Sequence, residues 1–222
     1  MRQKIKISDL FIGIIFTLFF VSFSVIFVVN FRQLYYFDMR HLDIAQTSGY
    51  SEQIILENYN ALIDYNSPFY KGELTFPSLA SSAEGILHFK DVKDIFNALY
   101  MIFAFTLAII IGIILYKKKQ KDYHYLFVSA FVTLILPIFV SIGVWLNFNS
   151  FFIKFHKIFF RNDHWLFDPT TDPIINILPE AFFMHCAIVI IILIILLSFL
   201  LFFIGNMIRL KKKLRRSFYN RS

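Results

Sequence analysis

Apolar positions along this chain gather into four unbroken runs, 10–29, 95–116, 125–148 and 181–208, and none of the four contains Asp, Glu, Lys or Arg. A helix rising 1.5 Å per residue crosses about 30 Å of hydrocarbon in roughly 20 residues, so each run is long enough to span a bilayer. The fourth has length to spare for tilt or for projecting beyond it. The pattern predicts an all-α membrane protein: a single integral membrane domain of four transmembrane helices, with the two long loops 30–94 and 149–180 forming a cap. The opening MRQKIK followed by twenty apolar residues reads as a retained signal anchor rather than a cleaved leader.

Inside the loops the periodicity changes. In SEQIILENYNALIDY, Ile55, Tyr59, Leu62 and Ile63 recur at helical spacing behind Ser51, which can cap the N-terminus. Ser81 and Glu84 have capping-box spacing, which predicts a helix through LHFKDVKDIF continuing into the second span. In FNSFFIKFHKIFF, Phe148, Phe151, Phe152, Phe155 and Phe159 share one helical face and Lys154, Lys157 and Arg161 the other, as expected of a helix lying in the interface. The following RNDHWLFDPTTDPIINILPE holds three prolines and clustered Asp and Asn, which forbid a continuous helix and place Trp165 at headgroup level.

Composition agrees with the pattern. Of the 222 residues, 58% are hydrophobic and 17% charged, with 30 Phe, which excludes a disordered chain and an ordinary soluble domain. Charge adds orientation. Fourteen of the 22 Lys and Arg lie in 1–9, 117–124 and 209–222, and 13 of the 15 acids lie in the two long loops, so the two sides carry about +12 and −5. The positive-inside tendency puts both termini in the cytoplasm and the long loops outside. The basic runs are then topology signals and contacts to membrane lipids, and nucleic-acid binding is not expected. The single cysteine, Cys186, falls in the fourth span, so no disulfide or loop thiol is expected.

Candidate chemistry narrows to histidine. HExxH, GxSxG, phosphate-loop and dinucleotide patterns are all lacking, so neither cofactor nor metal is predicted. His88 has Glu84 one turn before it and Asp91 three residues after it on one helical face, an arrangement that orients an imidazole. His156 lies at the edge of the Phe-rich face. Metal binding by His88, Asp91 and His156 follows no known spacing, and Ser81 or Ser82 as a nucleophile served by His88 is a weak pattern. His41, His124 and His185 show no convergent polar neighbours in the sequence, and His164 beside Asp163 is ambiguous.

Two blocks, FHKIFFRNDHWLFDPTTDPIINILPEAFF at 155–183 and HFKDVKDIF from His88, together with the four-span layout, resemble the bacterial lipoprotein intramolecular transacylases. That resemblance implies four transmembrane helices under an extracytoplasmic cap, in a bacterial cell membrane. It implies an acyltransferase that moves the sn-2 acyl chain of a diacylglyceryl-modified lipoprotein onto the α-amino group of its N-terminal cysteine. It places a catalytic pair on His88 and His156 and a confined aromatic site on Phe152, Phe155, Phe159 and Trp165. Asp91 is expected to orient His88, and Asn162, Asp163, Asp168 and Glu180 to shape the site or hold the loop. The competing readings are a serine-dependent intermolecular acyltransferase or lipid hydrolase, and a non-catalytic accessory or sensor protein.

Overall fold

The computed structural model describes residues 4–219, of which 215–219 contribute helical backbone only; the Arg2, Arg215, Arg216 and Arg221 charges counted toward orientation lie outside the described side chains. Among the described residues the chain is all-helical: α1 (Ile7–Asn30), α2 (Arg32–His41), α3 (Ile44–Ser48), α4 (Glu52–Tyr65), α5 (Ala83–Gln120), α6 (His124–Leu146), α7 (Phe148–Phe159), α8 (Ile174–Ile177) and α9 (Glu180–Tyr219). Four of these are long and apolar enough to cross a membrane: α1, α5, α6 and the Glu180–Leu214 part of α9. Packing gathers the chain into two compact units.

The first unit comprises 1–24, 102–141 and 190–222. Ile12, Phe16, Phe20, Ile110, Tyr125, Leu126, Ala130 and Leu201 form its core. A polar cluster joins the ends of three helices. Fully buried Asp9 lies 3.1 Å from His124 Nδ1 and 3.6 Å from Lys117 Nζ, and Asp122 takes Lys6 at 3.1 Å and Lys117 at 3.3 Å. Burial raises the Asp122 carboxyl, but the His124 N–H and the two lysines outweigh it and hold the group down to about 2. His124 therefore does have convergent polar neighbours, which a separation of 115 residues hides from the sequence.

The second unit comprises 25–101 and 142–189. Its core gathers Tyr35 and Met39 of α2, Ile55, Tyr59 and Leu62 of α4, Leu74, Phe76 and Leu79 of the following loop, Phe89 of α5, Ile174 and Ile177 of α8, and Phe182 of α9. Tyr35 stacks on Tyr59 with ring centroids 3.6 Å apart and donates its hydroxyl to the Ile177 carbonyl at 2.7 Å. Each buried aliphatic or aromatic side chain contributes about 1.5–3 kcal/mol, so this core holds the loops without a disulfide.

Local signals explain the helix ends. Ser51 Oγ accepts the Ile54 N–H, as the sequence predicts. Gly49 closes α3 at φ +74°, a conformation glycine adopts without strain. At α5 the cap is Ser82, whose Oγ accepts the Gly85 N–H at 2.9 Å, rather than Ser81. The run predicted as 125–148 ends earlier, because Asn147 leaves the helix and caps α7 by accepting the Ser150 N–H at 2.8 Å.

Candidate active site

His88 and His156 come from different elements of the second unit and meet. The charge-free stretch of α5 begins at 95, and His88 lies two turns before it, in a segment that also carries Glu84, Lys90, Asp91, Lys93 and Asp94. α7 turns His156 inward although its Phe155 and Phe159 neighbours are exposed. The two imidazole centroids are 6.0 Å apart, and the residues are only 5% and 9% exposed.

Aromatic rings wall the pair. His88 packs edge-on against Phe160 at 4.8 Å and Phe167 at 5.3 Å, and His156 contacts Phe152 at 4.2 Å, Trp165 at 4.9 Å, Phe160 at 5.5 Å and Phe155 at 5.7 Å. Phe159 packs against Phe155 at 4.6 Å, on the exposed side of α7. Phe160 and Phe167, not assigned to the site by sequence, pack against His88 from the segment after α7, and Phe89 lies 5.7 Å from it on α5 itself.

Hydrogen bonds fix some of these groups and leave others open. His156 Nδ1 lies 2.8 Å from the Phe152 carbonyl, so this nitrogen carries the proton and Nε2 keeps the lone pair in the neutral ring. His88 Nδ1, His164 Nδ1 and Trp165 Nε1 are buried and have no hydrogen-bond partner among the described residues. Burial lowers the His156 pKa, against a smaller upward pull from the Phe152 carbonyl. His88 is pushed down to about 4, first by burial and then by His156, with Asp91 opposing and His164 adding to the shift. Both rings are therefore neutral at pH 7.

The acids divide by role. Asp91 Oδ2 accepts from Asn162 Nδ2 at 2.9 Å, and Asn162 Oδ1 accepts the His164 N–H at 3.2 Å, so Asn162 ties the segment after α7 to α5. Asp168 is exposed and binds Thr170 through its N–H and hydroxyl, which hold its carboxyl below the usual range. Glu180 accepts from Asn149 at 2.8 Å, and Asp163 is exposed, with its carbonyl accepting the Leu166 N–H. None of these three touches an imidazole among the described residues. Between α7 and α9 the buried acid is Asp172, whose Oδ1 accepts the Ser82 N–H at 2.8 Å and whose Oδ2 accepts the Thr171 hydroxyl. A carboxylate bonded 90 residues away in sequence gives no linear signal. No serine hydroxyl bonds to either imidazole, and no group of three metal-ligating side chains occurs, among the described residues.

The model of the lipoprotein intramolecular transacylase family, Lit, matches residues 10–183. The chain belongs to that family. Its fold is also that of the membrane-integral lipoprotein intramolecular transacylase Lit from Bacillus cereus, with 34% identity, a TM-score of 0.89, and 93% of this chain and 98% of that one covered. Structures of two variants of that protein, with one histidine replaced by arginine or by alanine, match at TM-scores of 0.84 and 0.85, both at 34% identity. They cover 94% and 93% of this chain and 95% and 94% of theirs. No curated protein matches the chain. As a Lit-family protein it is an integral membrane acyltransferase, a lipoprotein intramolecular transacylase.

Proposed function

We propose that the chain transfers the sn-2 acyl group of a diacylglyceryl lipoprotein to the α-amino group of the same molecule's N-terminal cysteine, using His88 and His156. The observation that carries this reading is the buried pair of imidazoles, 6.0 Å apart, with an unbonded His88 nitrogen inside an aromatic enclosure. Ester-to-amide transfer runs downhill without a nucleotide and needs a base, an oxyanion donor and oriented reactants.

His156 is the base. Its Nδ1–H is committed to the Phe152 carbonyl, and its Nε2 takes a proton from the amine as nitrogen attacks the ester carbonyl. The C–N bond forms, the bond to the glyceryl oxygen breaks, and the imidazolium returns its proton to that oxygen, leaving a hydroxyl at sn-2. His88 stays neutral and donates an N–H to the oxyanion, a role that its lowered pKa favours. Proton transfer supplies about 10²- to 10⁴-fold, whereas holding amine and ester together supplies effective molarities of roughly 10⁵ M or more. The aromatic walls therefore contribute by folding the substrate back on itself.

The charge bias of the loops supports an orientation with both termini cytoplasmic and the histidines on the extracytoplasmic side. Substrates are membrane-anchored lipoproteins, and nucleic acid has no part. The test is expression in a bacterium that makes only diacylglyceryl lipoproteins, followed by tandem mass spectrometry of an N-terminal lipopeptide, because intramolecular transfer leaves total mass unchanged. An acyl group on the cysteine nitrogen beside a monoacyl glyceryl thioether supports the proposal. A free amine on an intact diacylglyceryl group overturns it, and label crossing between isotopically mixed substrates overturns its intramolecular part.

A further inference from the structure

A second histidine pair occurs in the same unit, built differently. Asp38 on α2 is fully buried, and its Oδ1 lies 2.8 Å from Nδ1 of His185, in the second turn of α9. The carboxylate fixes Nδ1–H as the donor and leaves Nε2 for another partner. The His41 ring is 6.2 Å from that of His185 and stacks on Phe37 at 5.3 Å. The outer face of α2 borders a pocket of about 630 Å³ lined by Gln33, Tyr36, Phe37, Arg40 and His41.

Three properties of this pocket converge on one kind of ligand. Arg40 makes no ion pair among the described residues, whereas Arg32 on the same helix is bonded to Asp64 and Asn60. The only carboxylate of α2, Asp38, points inward, so the outer face is cationic. Phe37 is 63% exposed beside these polar groups, and the pocket adjoins the start of a membrane-spanning helix. A soluble anion has no use for Phe37, and a neutral acyl chain has none for Arg40. A buried carboxylate is also costly unless it has work to do, and Asp38 leaves Oδ2 unbonded among the described residues while it orients His185.

We infer that Arg40, His41 and the Asp38-backed His185 form a binding site for the phosphodiester headgroup of an anionic membrane phospholipid, with Phe37 against its glycerol and upper acyl chain. A guanidinium forks onto two phosphate oxygens, and the imidazole nitrogens left free by Phe37 stacking and by Asp38 complete the hydrogen bonding of the headgroup. The ligand is a resident lipid, separate from the acyl substrate at His88 and His156.

The test is native mass spectrometry of the full-length protein in detergent, titrated with dioleoylphosphatidylglycerol. Dioleoylglycerol serves as the uncharged control and inorganic phosphate as the competitor. Wild type should retain phosphatidylglycerol and bind it about tenfold more tightly than Arg40→Gln, whose neutral amide can keep one hydrogen bond of the fork and loses the other. His185→Gln should show a loss in the same direction, and dioleoylglycerol binding should be the same in all three proteins. Arg40 is exposed, so its replacement does not threaten folding. Equal phosphatidylglycerol retention by wild type and Arg40→Gln overturns the site. Displacement by inorganic phosphate at equal concentration overturns the lipid as its occupant.

Discussion

Asp172 occupies the place where a side chain on Gly85 would stand: a Cβ built there would collide with Asp172 Oδ1, the oxygen that accepts the Ser82 N–H. The contact binds the loop after α7 to the first turn of α5, three residues before His88. It lets that loop deliver Phe160, Trp165 and Phe167 to the two imidazoles.

Gly85→Ala should therefore displace the carboxylate and disturb the site from outside it. Overpacking costs about 1–3 kcal/mol, so the variant should melt earlier in detergent and transfer acyl groups more slowly. Asp172→Asn should be milder, because an amide oxygen can still accept the Ser82 N–H. Wild-type melting and rate in Gly85→Ala would mean that the loop closes without this contact.

Replacement of the histidines separates their roles. His156→Ala and His156→Gln should both lower the transfer rate by about 10²- to 10⁴-fold, since neither supplies a base. His88→Gln keeps an N–H donor and should retain more activity than His88→Ala. Quantifying N-acylated lipopeptide at matched membrane protein levels decides this. Equal losses in His88→Gln and His88→Ala would remove the donor role, and a fully active alanine variant would remove that histidine from the reaction.

Much of this arrangement is legible in the sequence, for identifiable reasons. Charge-free runs mark the four long helices, and Ser51 with its periodic apolar residues marks α4. His88 and His156 stand out because a helix turn places carboxylates near one and phenylalanines around the other. The rest depends on contacts between distant residues. Asp172 to Ser82, His124 to Asp9 and His185 to Asp38 are bonded across 90 or more positions, and no local period encodes them. Phe160 and Phe167 sit where a helix ends and a loop turns, so their direction comes from the loop rather than from a repeat.

The pH dependence follows from the same burial. The ordinary histidine pKa is about 6.5 and that of a peptide α-amine about 7.7–8.0. His156 titrates below its ordinary value and His88 at about 4, so from pH 8 down to 6.5 the amine should be the first group to limit the rate, with a slope that rises toward one as pH falls below the amine's pKa. Steepening is expected only below that range, and a second break at or above pH 6.5 would contradict neutral, desolvated rings. Stability has its own window. A group whose pKa falls on folding contributes fully above the unfolded value, so the contribution of His88 is complete above about 6.5 and is lost as pH falls toward about 4. Melting temperature should decline over that interval, and less so in His88→Gln.

Asp91→Asn tests an electrostatic contact rather than a bond to the imidazole. Asp91 acts on His88 through its charge and is itself bonded to Asn162. Removing the charge takes away the one influence that favours a protonated His88, while the amide still reaches Asn162. Because His88 is already neutral at pH 7, the rate there should change less than in either histidine variant, and the acid-side steepening should move to lower pH. An unchanged rate and profile would leave Asp91 as a structural tie only.

Trp165 offers the sharpest separation of shape from chemistry. Its ring stands 4.9 Å from that of His156, and its Nε1–H is buried without an acceptor among the described residues, a rare state for an indole donor in a folded protein. A substrate carbonyl turning into an oxyanion supplies the missing acceptor, and a donor placed in a desolvated site strengthens as that charge develops. Trp165→Phe keeps the apolar wall and removes the N–H. Loss of one oxyanion donor costs about 10²- to 10³-fold in kcat, so Trp165→Phe should show that fall with KM little changed. A rise in KM at constant kcat would instead make Trp165 a wall that holds the acyl chains, and the oxyanion would then rest on His88 alone.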